Sequence, residues 1–406
     1  MRRCRNEARC APDGQIKGMK DMKDIRKTLQ DLSLFERLLH LNILLLLAAF
    51  LLNVSVGWYS FTGPSEGAVA TYRVYGWEYG RITEPIGVKE PAPVFAVRAL
   101  KLIGVPVPMG AKILGLSAFA GLVLLTLVFL RRRYGMMAGV LGALFLAINP
   151  YFSYYAVRSP AELFPLLFFL AFWYFVEKKD LSLKNMAAAG VCAALAALSK
   201  IVFLVLVLAA LVLWVLEERS AKRARFALYS ALLACALAAP YLIYQNSAFG
   251  RPLSLQENLL RQWSNTAITG PIQEAPFNGG PIGPVEFMFG SGARGSAVLF
   301  ASGLKKVFLS GLPRMAYYRI ELFFGLMGLV LLYMKRQWCF ASLFFVFILP
   351  VSFIAAADQV VITGGIERRF YLGAFWLVCA YAGFGFQELL EVLTSFLRSG
   401  VPPPKK

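Results

Sequence analysis

Apolar runs separated by short charged stretches dominate this chain. They cover residues 41–56, 113–130, 136–148, 161–176, 187–216, 226–244, 317–334, 339–354 and 370–386. A helix needs about 20 apolar residues to cross a hydrocarbon core of roughly 30 Å. Lipid offers no hydrogen bonds, so each crossing segment must satisfy its own backbone and is expected to be helical. The run 187–216 differs from the rest. It is long for one span and short for two, and Ser199 and Lys200 interrupt its middle. Basic residues on both flanks favour two short helices with Lys200 at their external turn. A single tilted span is the alternative, and it would invert every later segment. With two helices there, the pattern predicts an all-α polytopic membrane protein of about ten transmembrane helices.

Charge orients those spans. The 406 residues carry 42 Lys and Arg against 23 Asp and Glu, a formal net charge of +19. Bases gather at Arg131, Arg132 and Arg133, at Lys178, Lys179 and Lys184, between Arg219 and Arg225, at Lys335 and Arg336, and at Lys405 and Lys406. Placing these clusters and the basic N-terminal segment in the cytoplasm satisfies the positive-inside rule. Anionic membrane lipids are then the natural partners of the surplus charge. Nucleic acid is not an expected partner, because the bases are scattered over many short loops. Three segments fall outside: 58–109, 246–313 and 357–369. The chain divides into a cytoplasmic segment 1–37, a transmembrane module 38–252 with the external loop 58–109, a Gly- and Pro-rich external loop 253–315, C-terminal spans 316–390 and a cytoplasmic tail 391–406. Hydrophobic residues make up 58% of the chain and its mean hydropathy is +0.61, values that place it in a membrane as a multi-pass protein; the compact length points to a prokaryotic plasma membrane.

Several chemistries drop out. His40 is the single histidine, so a multi-histidine metal site is excluded, and a Ser-His-Asp arrangement would depend on His40 alone. The six cysteines have no CxxC spacing. No Walker motif or GxGxxG supports ATP or dinucleotide use. No cofactor is required by any motif, although the external carboxylates would allow a divalent metal.

The external segments carry the candidate chemistry. Loop 58–109 follows the first span and mixes carboxylates, bases and aromatics. Glu66 lies close behind that span, near the membrane surface, where a carboxylate can act as general base on an acceptor hydroxyl; a solvated loop glutamate is the plainer reading. Lys89 and Glu90, with Pro91 and Pro93, form a stiff charged element ahead of an amphipathic stretch expected to lie along the membrane surface. Arg158, Ser159, Pro160 and Glu162 open the fourth span. Ser159 as N-cap, Pro160 at the first helical position and Glu162 three residues after the cap make a capping box. The same geometry sets Arg158 beside a helix N-terminus, a favourable place for phosphate. Lys200, between two apolar halves, must reach water or an anion. Arg368 and Arg369, next to Phe370 and Tyr371, either anchor the last span or bind a phosphate head group.

Taken in order, these elements resemble the GT-C superfamily of integral-membrane glycosyltransferases, and within it the protein O-mannosyltransferase and lipid A aminoarabinose transferase group. Ser65-Glu66 occupies the place of the acidic pair after the first helix. Lys89-Glu90-Pro91-Ala92-Pro93 is similar to the Lys-Pro-Pro element before a surface helix. Arg158 and Glu162, after Asn149-Pro150, match the Arg and acidic residue that open the fourth helix. Gly190 to Lys200 loosely matches a Gly-Leu-(Thr/Ser)-Lys element. Pro240-Tyr241 through Pro252 resembles a stretch after the seventh helix, and Arg369-Phe370-Tyr371 resembles a late Arg-Tyr element. The resemblance implies inverting transfer of a sugar from a polyprenyl-phosphate donor to a hydroxyl of an acceptor protein, lipid or glycan at the external face. Glu66 would be the base, since Ser65 stands where the family's catalytic Asp is expected. Arg158, Lys200, Arg368 and Arg369 would stabilise the leaving phosphate, supported by Lys89, Glu90, Glu162 and Tyr371. A transporter or a catalytically silent scaffold are the competing classes. The first predicts repeats and mid-span charges beyond Lys200; the second is compatible with Ser65.

Overall fold

The structure is a computed structural model that describes residues 44–56, 90–158, 160–178, 180–254, 256, 257, 260, 282–357 and 368–399. The chain divides into two compact units, residues 1–48 and 49–406. Residues 44–48, the described part of the first unit, are helical. All regular structure among the described residues is helical. Helix α1 covers Leu44–Val56. It is followed by α2 (Pro91–Leu102), α3 (Val107–Tyr134), α4 (Met136–Ile148), α5 (Pro150–Arg158), α6 (Pro160–Val176), α7 (Leu183–Ser199), α8 (Val202–Glu217) and α9 (Ala221–Phe249). The C-terminal part holds α10 (Pro284–Phe289), α11 (Gly292–Lys306), a π-helical turn (Val307–Gly311), α12 (Leu312–Met315), α13 (Arg319–Met334), α14 (Trp338–Ala357), a 3-10 turn (Arg368–Tyr371) and α15 (Leu372–Ser399).

Local sequence explains the breaks. Pro91 and Pro150 each open a helix, where a missing N–H costs nothing. Gly135 separates α3 from α4 with φ 107°, a conformation that side chains disfavour. The run 187–216 is split: α7 ends at Ser199 and α8 starts at Val202. Lys200 lies between them with extended backbone, its N–H still bonded to the Ala196 carbonyl and its own carbonyl receiving Phe203 N–H at 2.9 Å.

Four helical stretches among the described residues are long and apolar enough to cross a membrane: α3, α9, α14, and the 3-10 turn with α15. The pair α4 and α5, bent by 59°, makes a fifth if it counts as one span. Helices α1, α6, α7 and α8 are apolar but shorter. Length and composition alone therefore do not reach the ten spans expected from the sequence. Splitting the run at Lys200 leaves two helices of 17 and 16 residues, each below the ~20 that a full crossing takes.

Helix α15 is the most deeply buried of the long helices and packs between α4 and α13. Lipid removes the hydrophobic drive for helix association, so close van der Waals contact has to supply it, and small residues permit that contact. Gly383 of α15 lies against Gly142 of α4, and Gly385 against Gly328 of α13. A Cβ at Gly328 would overlap the Tyr381 carbonyl oxygen. Two hydrogen bonds add registration: Trp376 Nε1 donates to Thr126 Oγ1 at 3.0 Å, and Tyr381 Oη donates to the Phe340 carbonyl at 2.7 Å.

Polar clusters mark the two ends of the bundle. At one end Arg133 pairs with Glu177, and Tyr134 Oη donates to Gln337 Oε1 at 2.7 Å. There also, Glu217 Oε1 accepts the Cys339 N–H at 3.1 Å, and Gln387 Nε2 donates to the Tyr134 carbonyl at 2.6 Å. The other end contains Glu162. Glu162 and Glu177 bracket α6, about 22 Å apart at 1.5 Å per residue.

Replacing Gly328 by Leu forces α13 and α15 apart. The expected result is a loss of about 1–3 kcal/mol or more, read as a lower thermal midpoint in detergent, whereas Leu at lipid-facing Val330, 57% exposed, leaves the midpoint unchanged.

Candidate functional site

Three of the residues singled out in the sequence meet at one point. Glu162 lies in the first turn of α6 and is buried. Lys200 occupies the break between α7 and α8, and Arg369 the 3-10 turn ahead of α15. Lys200 Nζ donates to Glu162 Oε2 at 2.9 Å, and Arg369 Nη1 lies 3.5 Å from Glu162 Oε1. Each carboxylate oxygen thus faces its own cation. The Phe370 ring serves both bases, with Lys200 Nζ 5.5 Å and Arg369 Cζ 5.1 Å from its centroid. Cations are attracted to the negative face of such a ring.

Arg368 turns the other way. Its guanidinium carbon lies 4.5 Å from the centroid of Tyr151, in the first turn of α5. The turn that carries both arginines is held from beneath. Tyr371 is buried, and a Cβ at Gly311 of the π-helical turn would overlap its ring. Backbone packing of that tightness leaves little freedom in the direction of Arg368 and Arg369.

Electrostatics follow from this geometry. A buried carboxylate is costly unless paired, and Glu162 is paired twice. Glu162 has a side-chain exposure of 8%, while Lys200 and Arg369 keep 27% and 30%. The acid is enclosed and the bases are still reachable. Two cations around one anion leave a local surplus of positive charge. Such a surplus suits an anion whose oxygens accept from guanidinium and ammonium groups.

The remaining sequence candidates divide as follows. Glu90, the residue before α2, accepts from Gln256 Nε2 at 3.1 Å. Arg158 is the last residue of α5, and its side chain lies outside the described residues, as do Glu66, Lys89 and Ser159. The capping box at Ser159 therefore lies outside the described residues; the Glu162 oxygens face Lys200 and Arg369. No three His, Cys, Asp or Glu side chains stand together among the described residues in a way that would hold a metal ion.

Residues 100–244 match the family model described as dolichyl-phosphate-mannose-protein mannosyltransferase. The match spans a little over a third of the chain, and that segment is similar to a family of the GT-C superfamily. That family implies a membrane glycosyltransferase using a polyprenyl-phosphate-linked sugar. The GT-C match runs from the end of α2 into α9 and includes Glu162 and Lys200; Arg368 and Arg369 lie outside it. No curated protein matches the chain.

Sequence reading passed over Tyr151 and Glu321. Tyr151 had a signal in its place directly after Asn149-Pro150, where the broken helix turns towards the site. Glu321 had a plainer one: it is an acidic residue within the apolar run 317–334.

Removing the shared acid leaves two cations face to face. Glu162→Ala is expected to lower stability by about 1–3 kcal/mol, less than a fully buried pair would lose because water screens both bases. In thermal unfolding, Glu162→Ala with Lys200→Ala should lose less than the two single changes added together.

Proposed function

We propose that the chain transfers a sugar from a polyprenyl-phosphate donor to an acceptor hydroxyl at the external membrane face, with inversion at the sugar carbon. The observation that carries this reading is the meeting of Lys200 and Arg369 over the buried Glu162. The GT-C match to residues 100–244 supports it by naming the reaction class.

In this reading the anionic phosphate of the donor sits against Lys200, Arg368 and Arg369, with Arg158 as a further cation. Glu162 holds two of these bases apart and pointed, with Tyr371 supporting their turn. Glu66 takes the proton from the acceptor hydroxyl, and Lys89 and Glu90 line the approach. The acceptor oxygen then forms its bond to the anomeric carbon as the bond from that carbon to the phosphate oxygen breaks. The electron pair leaves with the polyprenyl phosphate, and the fixed cations stabilise the charge that develops there. A base drawn from a loop suits this chemistry, because the acceptor must arrive from water while the donor stays in lipid.

The test is release of polyprenyl phosphate from radiolabelled polyprenyl-phosphate sugars by purified protein, with membrane extract as acceptor. Glu66→Gln is expected to cut release about 100-fold or more with an unchanged thermal midpoint, and Lys200→Ala about 100-fold when assayed below its lowered midpoint. Full activity in Glu66→Gln rejects that residue as base. Donor binding without release under a broad range of acceptors would instead favour a silent scaffold.

A further inference from the structure

Glu321 is fully buried, at 0% exposure, near the start of α13. Its Oε2 accepts from Asn149 Nδ2 at 3.3 Å, and its Oε1 meets no hydrogen-bond partner among the described residues. A carboxyl group in an apolar span is costly, and an unsatisfied oxygen adds to that cost. A leucine would fill the space without either cost, so the acid has to be explained by what it holds.

What it holds is the break between α4 and α5. Pro150 ends the α4 ladder and leaves carbonyls without helical donors. Asn53 of α1 supplies one set of donors, from Nδ2 to the Ala147 carbonyl at 2.6 Å and to the Asn149 carbonyl at 3.2 Å. Its Oδ1 accepts from Ser153 Oγ of α5 at 2.9 Å. Asn149 does the rest. Its Oδ1 accepts the Tyr151 N–H at 3.0 Å, which caps α5, and its Nδ2 also donates to the Met315 carbonyl at 3.0 Å. Glu321 and the Met315 carbonyl both accept from Nδ2, so together they fix which way the Asn149 amide faces. That in turn keeps Oδ1 on Tyr151, the residue whose ring carries Arg368.

We infer that Glu321 is a positioning residue for Arg368, acting through Asn149 and the first turn of α5. Its consequence for donor binding rests on the function proposed above; the positioning itself does not.

The two parts are read separately. Phenylglyoxal modification of detergent-solubilised full-length protein, followed at Arg368 by peptide mass spectrometry, reports the stacking on Tyr151. Tyr151→Ala sets the unstacked reference. Glu321→Leu is expected to raise the rate at Arg368 about threefold, towards that reference. Glu321→Gln keeps an oxygen for Asn149 Nδ2 and should match the wild type. Asn149→Ala breaks the same link from its other side and carries the test where Glu321→Leu does not fold. Farnesyl phosphate binding is the second readout. Its affinity should fall about fivefold in Glu321→Leu, with no further loss when that change is added to Arg368→Ala. The inference is overturned by an unchanged Arg368 rate in Glu321→Leu and Asn149→Ala, or by no rise in Tyr151→Ala. A raised rate together with no farnesyl phosphate binding by the wild type supports the positioning and rejects the donor reading.

Discussion

A carboxylate enclosed at the end of an apolar bundle cannot stand alone. Glu162 is tolerated because Lys200 and Arg369 reach it from two other parts of the chain. The ion triad ties the start of α6, the α7–α8 break and the turn before α15 into one object. These elements are separated by 38 residues in one case and far more in the other, so the contact fixes tertiary structure. Lys200 in particular would be costly in the middle of a single long helix. The break that splits the run 187–216 gives it a polar destination.

The opposite end of the bundle is closed by neutralised charge of a different kind. Arg133 is the one member of its basic triplet that turns inward, to Glu177 and Gln337; Arg131 and Arg132 remain exposed. Those bonds satisfy groups within the protein, whereas the bases around Glu162 retain a surplus. Between the two ends, the glycine crossings of α15 with α4 and α13 hold the helices close enough for the end clusters to form.

Much of the candidate site was legible before folding. Glu162, Lys200 and Arg369 each broke a local pattern: an acid at a helix start, a base in mid-run, a pair of bases ahead of aromatics. What no local pattern carried was that these three share one carboxylate, or that Arg368 leaves its neighbour to stack on Tyr151. Glu321 was harder. Its partners are a side chain 172 residues away and the geometry of a helix break, and neither leaves a mark near position 321.

Sequence by itself determined the class of the protein: helical and membrane-embedded, with a segment similar to a GT-C family. Apolar run length and charge asymmetry act locally against the bilayer, so they can be read without knowing which helices touch. Tertiary structure alone decided the partners of each charge and the helices that lie together. It also decided how the broken helix at Asn149 is satisfied, by Asn53 of α1 and Glu321 of α13. Those outcomes depend on groups brought within 3 to 4 Å by packing, and packing is settled by the whole bundle at once.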